Sequence, residues 1–264
     1  FGDAIGYLQS QSVHLYNESG RYWYSEQPTL RKLAEDRQAQ VMEDSDRIHQ
    51  EIETLLREPE FSRRGDFAAV HLAPRTTSDV SDEERVALVV LPPAFAHVRG
   101  DGDSRAMEHA RSILESRGEK PRTNKNMLVF AAADASRLNE LIPSVALWLA
   151  WAGIAKEIAA RTSAMTGVTQ GQEESARTEL RMARDRVHAL IPETYRWMLL
   201  PSQEKPGTPV RIDEHAVTGS DSIAERCGKL LRKRQWLMPV MDGMALRLEL
   251  DQTPLWNGDD VAVS

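Results

Sequence analysis

The runs Arg85-Val-Ala-Leu-Val-Val-Leu91 and Asn126-Met-Leu-Val-Phe-Ala-Ala-Ala133 decide the fold class. Each is short and almost wholly apolar. Neither shows the polar alternation of a strand with one wet face, so each reads as a strand covered on both sides. Phe67-Ala-Ala-Val-His-Leu-Ala73 has the same character and is expected to be a third central strand. Between the second and third runs lies Ser104–Arg117, which reads as a helix with Asp103 or Ser104 as N-cap and Gly118 as its closing residue. Strand, helix and strand at this length require a right-handed parallel crossover. The expected fold class is α/β: a small mixed, partly parallel sheet with flanking helices.

Working outward, Pro28 opens a helix expected to run unbroken to about Arg57, with Leu30, Leu33, Val41, Ile48, Ile52 and Leu55 as its apolar stripe and Glu43 paired to Arg47 on the wet side. Asp134 starts a helix to about Thr162 that is apolar on nearly every face, hence buried on most sides. Thr169–Glu173 breaks the pattern before a polar helix, Glu174–Leu190, and the two are expected to form a long antiparallel helical hairpin. Ile191–Pro201 reads as a loop and a buried strand, partnered by Val210–Val217 across a flexible turn at Ser202–Pro209. Ser222 and Glu225 form a capping box that starts a helix to about Trp236, ended by Pro239. A last helix is expected over Met241–Leu250.

At the other end, Ala4–Gln9 resembles the end of a helix. Val13–Tyr16 and Arg21-Tyr-Trp-Tyr24 make a hairpin across Asn17–Gly20. A helix followed by a two-stranded ribbon is how a winged-helix module finishes, so this hairpin reads as the end of a truncated winged-helix-like module. It reads equally as a core hairpin, and Arg21 with Trp23 leaves a base-stacking surface open. The expected division is 1–27 for the truncated module, 28–134 for an α/β core with its leading long helix, 135–192 for the helical hairpin, and 193–264 for the strand pair and terminal helices.

With 264 residues, 41% of them apolar, the chain can bury a real core. Its single cysteine, Cys227, cannot form an internal disulfide or hold zinc alone, which favours a reducing cytoplasmic setting. The chain opens without an initiator Met or signal-peptide pattern, and its apolar runs read as too short or too interrupted to cross a bilayer, so a soluble fragment without a membrane partner is expected. A formal net charge of −7 excludes a general affinity for phosphate backbone and leaves only a local basic patch.

No Gly-x-x-x-x-Gly-Lys-Ser/Thr occurs, and the acids of Gly100-Asp-Gly-Asp-Ser104 repel phosphate. The seven histidines lack metal spacing, and no serine sits in a Gly-x-Ser-x-Gly elbow. No catalytic, cofactor-binding or metal-binding residue is assigned. Asp134, at the end of an apolar run, reads as a helix N-cap or as a magnesium-binding acid. His71 reads as a core histidine or a base. Two basic clusters, Arg111/Arg117/Lys120/Arg122/Lys125 and Lys229/Arg232/Lys233/Arg234, read as solvated, dipole-matched charge or as phosphate contacts. The candidate nucleic-acid or partner contacts are Arg21, Trp23, Lys229, Arg232, Lys233 and Arg234.

The stretch "GRYWYSEQPTLRKLAEDR" carries a resemblance, joined by "FAAVHLAPRTTSDVSDEERVALVVLPP", "SRAMEHARSILESRGEKPRTNKNMLVFAAAD", "ARDRVHALIPETYRWMLLPSQ" and "SIAERCGKLLRKRQWLM" followed by "LRLELD". Together they span most of the chain. It resembles the large prokaryotic AAA-type ATPases catalogued as domain of unknown function 499, found in phage-defence and restriction-like gene clusters. The resemblance implies a carboxyl-side, non-catalytic portion, with ATP and magnesium expected only in an upstream ATPase domain. It implies as partners that ATPase domain, DNA and other defence-system proteins. The expected function is an accessory region transmitting ATPase motion to a partner or to DNA. The alternative is an assembly scaffold without nucleic-acid contact. A third reading is an independent enzyme, whose sign would be a pocket at the strand ends gathering acidic or nucleophilic side chains.

Overall fold

The computed structural model describes residues 15–18, 21–24, 29–165, 167–204, 208–237 and 243–244. It begins with an antiparallel ribbon, β1 (Leu15–Glu18) and β2 (Arg21–Tyr24), in which Glu18 pairs with Arg21 and Tyr16 with Trp23. β1 thereby extends into the stretch expected to be turn. The expected Ala4–Gln9 helix end lies outside the described residues, as does most of the expected Met241–Leu250 helix.

The expected single helix over Pro28–Arg57 is two, α1 (Leu30–Met42) and α2 (Ser45–Leu56). Asp44 makes the break: its Oδ1 accepts from Arg47 N at 3.0 Å, the bond of an N-cap, while Glu43 serves as the C-cap of α1 instead of pairing with Arg47. Then come β3 (Ala69–Leu72), β4 (Ala87–Val90), α3 (Arg105–Glu115), the small ribbon β5 (Ser116–Arg117) and β6 (Lys120–Pro121), and β7 (Leu128–Ala132). The remaining elements are α4 (Ala135–Ala159), α5 (Gln170–Thr194), β8 (Trp197–Ser202), β9 (Arg211–Ala216) and α6 (Ile223–Lys233).

Five strands form one mixed sheet in the order β3-β4-β7-β8-β9. β3, β4 and β7 are parallel, and β8 and β9 add antiparallel. The parallel pairing of β4 with β7 across α3 is as expected, but α3 ends at Glu115, where Ser116 turns extended, and Gly118 does not close it. β4 and β7 are buried at every position because both sheet faces are covered: Val89, Leu91, Phe130 and Ala132 join a cluster with Met107, Ala110 and Ile113 of α3, while Leu88, Val129 and Ala131, which alternate to the other face, are also buried. β3 corrects the expectation of a third central strand: it lies at the sheet edge and its four residues are only half-buried. The fully buried ends of that run, Phe67 and Ala73, flank the strand, and the left-handed Ala73 (φ 50°) followed by Pro74 ends it. The other edge, β9, alternates exposed and half-buried residues over 211–214 and is blunted by charge.

The chain divides into two compact units, residues 1–52 with 139–191, and residues 53–138 with 192–264. The sheet belongs to the second. The first has its own core, in which Ala34 of α1, Trp151, Ile154 and Ile158 of α4, and Ala176 and Ala183 of α5 pack together. Arg37 and Glu157 add an ion pair at 2.7 Å. Contrary to the sequence expectation, α4 is long and apolar enough to cross a membrane by length and composition. Trp151, Ile154 and Ile158 are buried, but only 44% of its apolar stretch is, so it falls short of the expected burial on most sides. α5 starts earlier than expected because Thr169 and Gln172 cap each other: Thr169 N donates to Gln172 Oε1 at 2.9 Å and Gln172 N to Thr169 Oγ1 at 3.3 Å.

Arg122 corrects the reading of the first basic cluster. It is 3% exposed and donates to the backbone oxygens of Ile113 and Ser81 at 2.6 Å and of Val80 at 3.1 Å. Asp82, 3.8 Å from its guanidinium, accepts from Thr123 N and Asn124 N at 2.9 Å each. A planar fork among carbonyls ties the segment before β4 to the end of α3. Phosphate has no access to it.

Candidate functional site

A cleft of about 530 Å³ opens at the carboxyl ends of β7 and β9 and the start of β8. Ligands of open α/β sheets gather at this position, because the loops there converge on strand ends that a helix does not cover. The loop after β4 helps to shape it: Leu91 N donates to Ala131 O and His97 N to Ala133 O, so residues 91–97 run beside β7 and its extension. His97 then pairs with Asp134 as a parallel bridge.

Asp134 caps α4. Its Oδ1 accepts from Ser136 N at 2.9 Å, Arg137 N at 3.2 Å and the Ser136 hydroxyl, and its Oδ2 accepts from Trp197 Nε1 at 2.8 Å. Burial pushes its pKa up, but these bonds outweigh burial and hold it below the ordinary carboxylate value. Every donor comes from the fold.

His97, Ser104 and Glu214 form a hydrogen-bonded line with the composition of a hydrolytic triad. His97 Nδ1 lies 2.8 Å from Ser104 Oγ, and its Nε2 lies 2.6 Å from Glu214 Oε2. An ionised carboxylate only accepts, so Nε2 carries a proton, and in the neutral ring Nδ1 accepts the Ser104 hydroxyl proton. A working triad also needs its nucleophile presented to substrate. Here His97 is fully buried and Ser104 is 5% exposed, absent from the cleft wall and engaged as N-cap of α3, where its Oγ accepts from Met107 N at 3.4 Å. Glu214 also accepts from Gly100 N at 2.9 and 3.1 Å. Burial raises the Glu214 pKa, while the bonds from Gly100 and His97, with the charge of Arg99, bring it below the usual range. The line clamps the loop after β4 to β9 and to the start of α3. It is a structural brace.

Three cations of the cleft wall are not engaged in this way: Arg99 from the loop after β4, Arg196 just before β8, and Arg234 at the end of α6. Among the described residues, Arg196 Nε is buried without a hydrogen-bond partner. Arg99 acts on Glu214 through space, without a hydrogen bond among the described residues. Arg234 lies over the ring of Trp236, 5.8 Å from its centroid. Trp236 is 45% exposed, and its ring is 4.8 Å from that of His215, another residue of the wall. Burial, with Arg234 nearby, lowers the His215 pKa despite Asp213 and Glu214.

The candidate contacts read from sequence separate. Lys229 pairs with Asp221 at 2.7 Å and Arg232 with Asp66 at 2.9 Å, so both brace α6. Lys233 is exposed, and Arg234 alone of that cluster lines the cleft. Arg21 and Trp23 lie on β2. Of the first basic cluster, Arg122 is internal and Arg111 bonds Asp103 at 3.2 Å and the carbonyl of Gly102, while Arg117 and Lys120 are exposed. His71 is half-buried on edge strand β3, its Nε2 3.3 Å from Ser81 Oγ, away from the cleft. Arg99, Arg196, His97 and Glu214 are the residues that sequence reasoning passed over. The Gly100–Ser104 loop was the one local signal near them.

Among the described residues, no group of three or more His, Cys, Asp or Glu side chains has the arrangement of a metal site. No family model, curated protein or solved structure matches this chain.

Proposed function

We propose that this chain is a non-catalytic accessory region of a large ATP-dependent prokaryotic defence protein, of the kind catalogued as domain of unknown function 499, and that it passes the motion of an ATPase domain to DNA. One observation carries the reading. The cleft at the strand ends gathers acidic and serine side chains, the sign set for an enzyme, yet Asp134 and Glu214 already accept from donors of the fold while three guanidiniums make no hydrogen bond to them. Such a wall suits binding of phosphate better than proton transfer. Cytoplasmic location and an upstream ATPase partner belong to the same proposal.

The test is DNA affinity of the full chain at rising ionic strength, beside calorimetry with magnesium-ATP. DNA binding that weakens with salt, and no heat with ATP, is the expected result. No DNA binding at any salt supports the scaffold reading instead. Saturable micromolar ATP binding overturns the non-catalytic assignment.

A further inference from the structure

The cleft offers more than charge. Three cations stand there against two carboxylates whose acceptor positions face the fold's own donors. Arg99, Arg196 and Arg234 come from three separate segments, so their convergence is a property of the fold and not of a basic run in sequence. The volume, about 530 Å³, lies in the range of small organic ligand sites and exceeds what an inorganic anion fills. Beside it stands an indole with nearly half its surface in water, flanked by His215 and Arg234. An anion alone has no use for that flat apolar face. A nucleobase does, provided it is unpaired, because bases inside a duplex are already stacked on one another.

We infer that this cleft holds an unpaired stretch of a single DNA strand, neighbouring phosphates on Arg99, Arg196 and Arg234 and one base against Trp236. The inference rests on the reading of the chain as a DNA-contacting region and names the form of DNA it takes. Guanidiniums suit this role because each presents several donors in a plane that matches phosphate oxygens. Trp236 supplies stacking that tolerates any base, so contact is independent of sequence.

The test is fluorescence anisotropy of the full chain with a labelled oligothymidylate of roughly a dozen nucleotides, a size within the usual span of single-strand sites. A labelled hairpin duplex and unlabelled thymidine 5′-monophosphate are the other two arms. The expected result is a single strand bound at least about tenfold tighter than duplex. Trp236→Leu lowers single-strand affinity by about 5- to 150-fold without changing the salt slope, and Trp236→Phe falls between. Arg99→Gln with Arg234→Gln reduces the slope by about 1.4, at roughly 0.7 per contact. All three side chains are exposed, and circular dichroism confirms that the variants fold.

DNA bound equally as strand and duplex, with every variant matching the parent, overturns the assignment of the cleft and leaves the DNA-contacting reading standing. Displacement of the probe by micromolar monophosphate overturns it in favour of a free nucleotide. Failure to bind either DNA removes that reading and this inference together.

Discussion

Replacing Arg122 with Met separates an internal brace from a surface cation. The guanidinium makes two bonds of 2.6 Å and one of 3.1 Å to backbone oxygens of Ile113, Ser81 and Val80, from a side chain with no exposure to solvent. Methionine fills similar space and donates nothing, so three carbonyls lose their donor, and a buried group left unpaired costs about 1–3 kcal/mol. Relaxation and water entry recover part of this. Summed over three such groups, the remainder is a loss of about 3–5 kcal/mol. With a urea dependence of about 1–3 kcal/mol per molar, the midpoint of the sheet unit falls by roughly 1–5 M. Lysine keeps the charge but not the fork, and recovers less than half. The assay is urea unfolding followed by circular dichroism and tryptophan fluorescence, with each transition fitted separately because the chain has two units. Arg122→Met within about 0.5 kcal/mol of the parent, the ordinary range for a surface site, refutes the argument.

Ser104→Ala removes both the α3 cap and the hydroxyl that donates to His97, and should cost about 1–3 kcal/mol in the same assay, with Ser104→Thr milder. If Ser104 were a nucleophile, hydrolysis of an activated ester by the chain would vanish on that substitution; no such activity is expected in either protein. For pH, burial lowers the pKa values of His71, His109 and His215 below 6.5. The unfolded chain therefore binds more protons than the folded one once pH drops below that value. Stability from these groups is complete above about pH 7 and declines as pH falls through 6.5 toward their folded values. Urea midpoints at pH 7.5, 6.0 and 5.0 should decrease in that order, and His71→Asn should remove part of the decrease. A midpoint that rises on acidification contradicts the sign.

The crossover from β4 to β7 was legible because continuous apolar runs have one simple meaning, burial on both faces, and the helix between them carries its own N-cap. The capping box of α6 was legible for the same local reason. Breaks in helical stretches were not. Asp44 sits among charged residues that resemble a wet helix face, and Thr169 precedes Gln172 and two glutamates that resemble a polar loop. The edge position of β3 was hidden because an apolar run reports the company of Phe67 and Ala73 as readily as that of a neighbouring strand. The cleft was least legible. Arg99, Arg196 and Arg234 carry no motif and meet only through the order of strands in the sheet, whereas the visible run Lys229–Arg234 spends two of its charges on Asp221 and Asp66.

The most direct test of the account is the salt dependence of single-strand affinity for the full chain and for a variant carrying Arg99→Gln, Arg196→Gln and Arg234→Gln. A strand held by three phosphate contacts loses affinity with a slope of about −2 in logarithm of affinity against logarithm of salt. That slope or a steeper one is expected for the parent, and a slope shallower by about 2 for the triple variant, while Lys229→Gln with Arg232→Gln leaves it unchanged. A flat parent, or a triple variant as steep as the parent, contradicts the claim that this cleft is where the chain meets DNA.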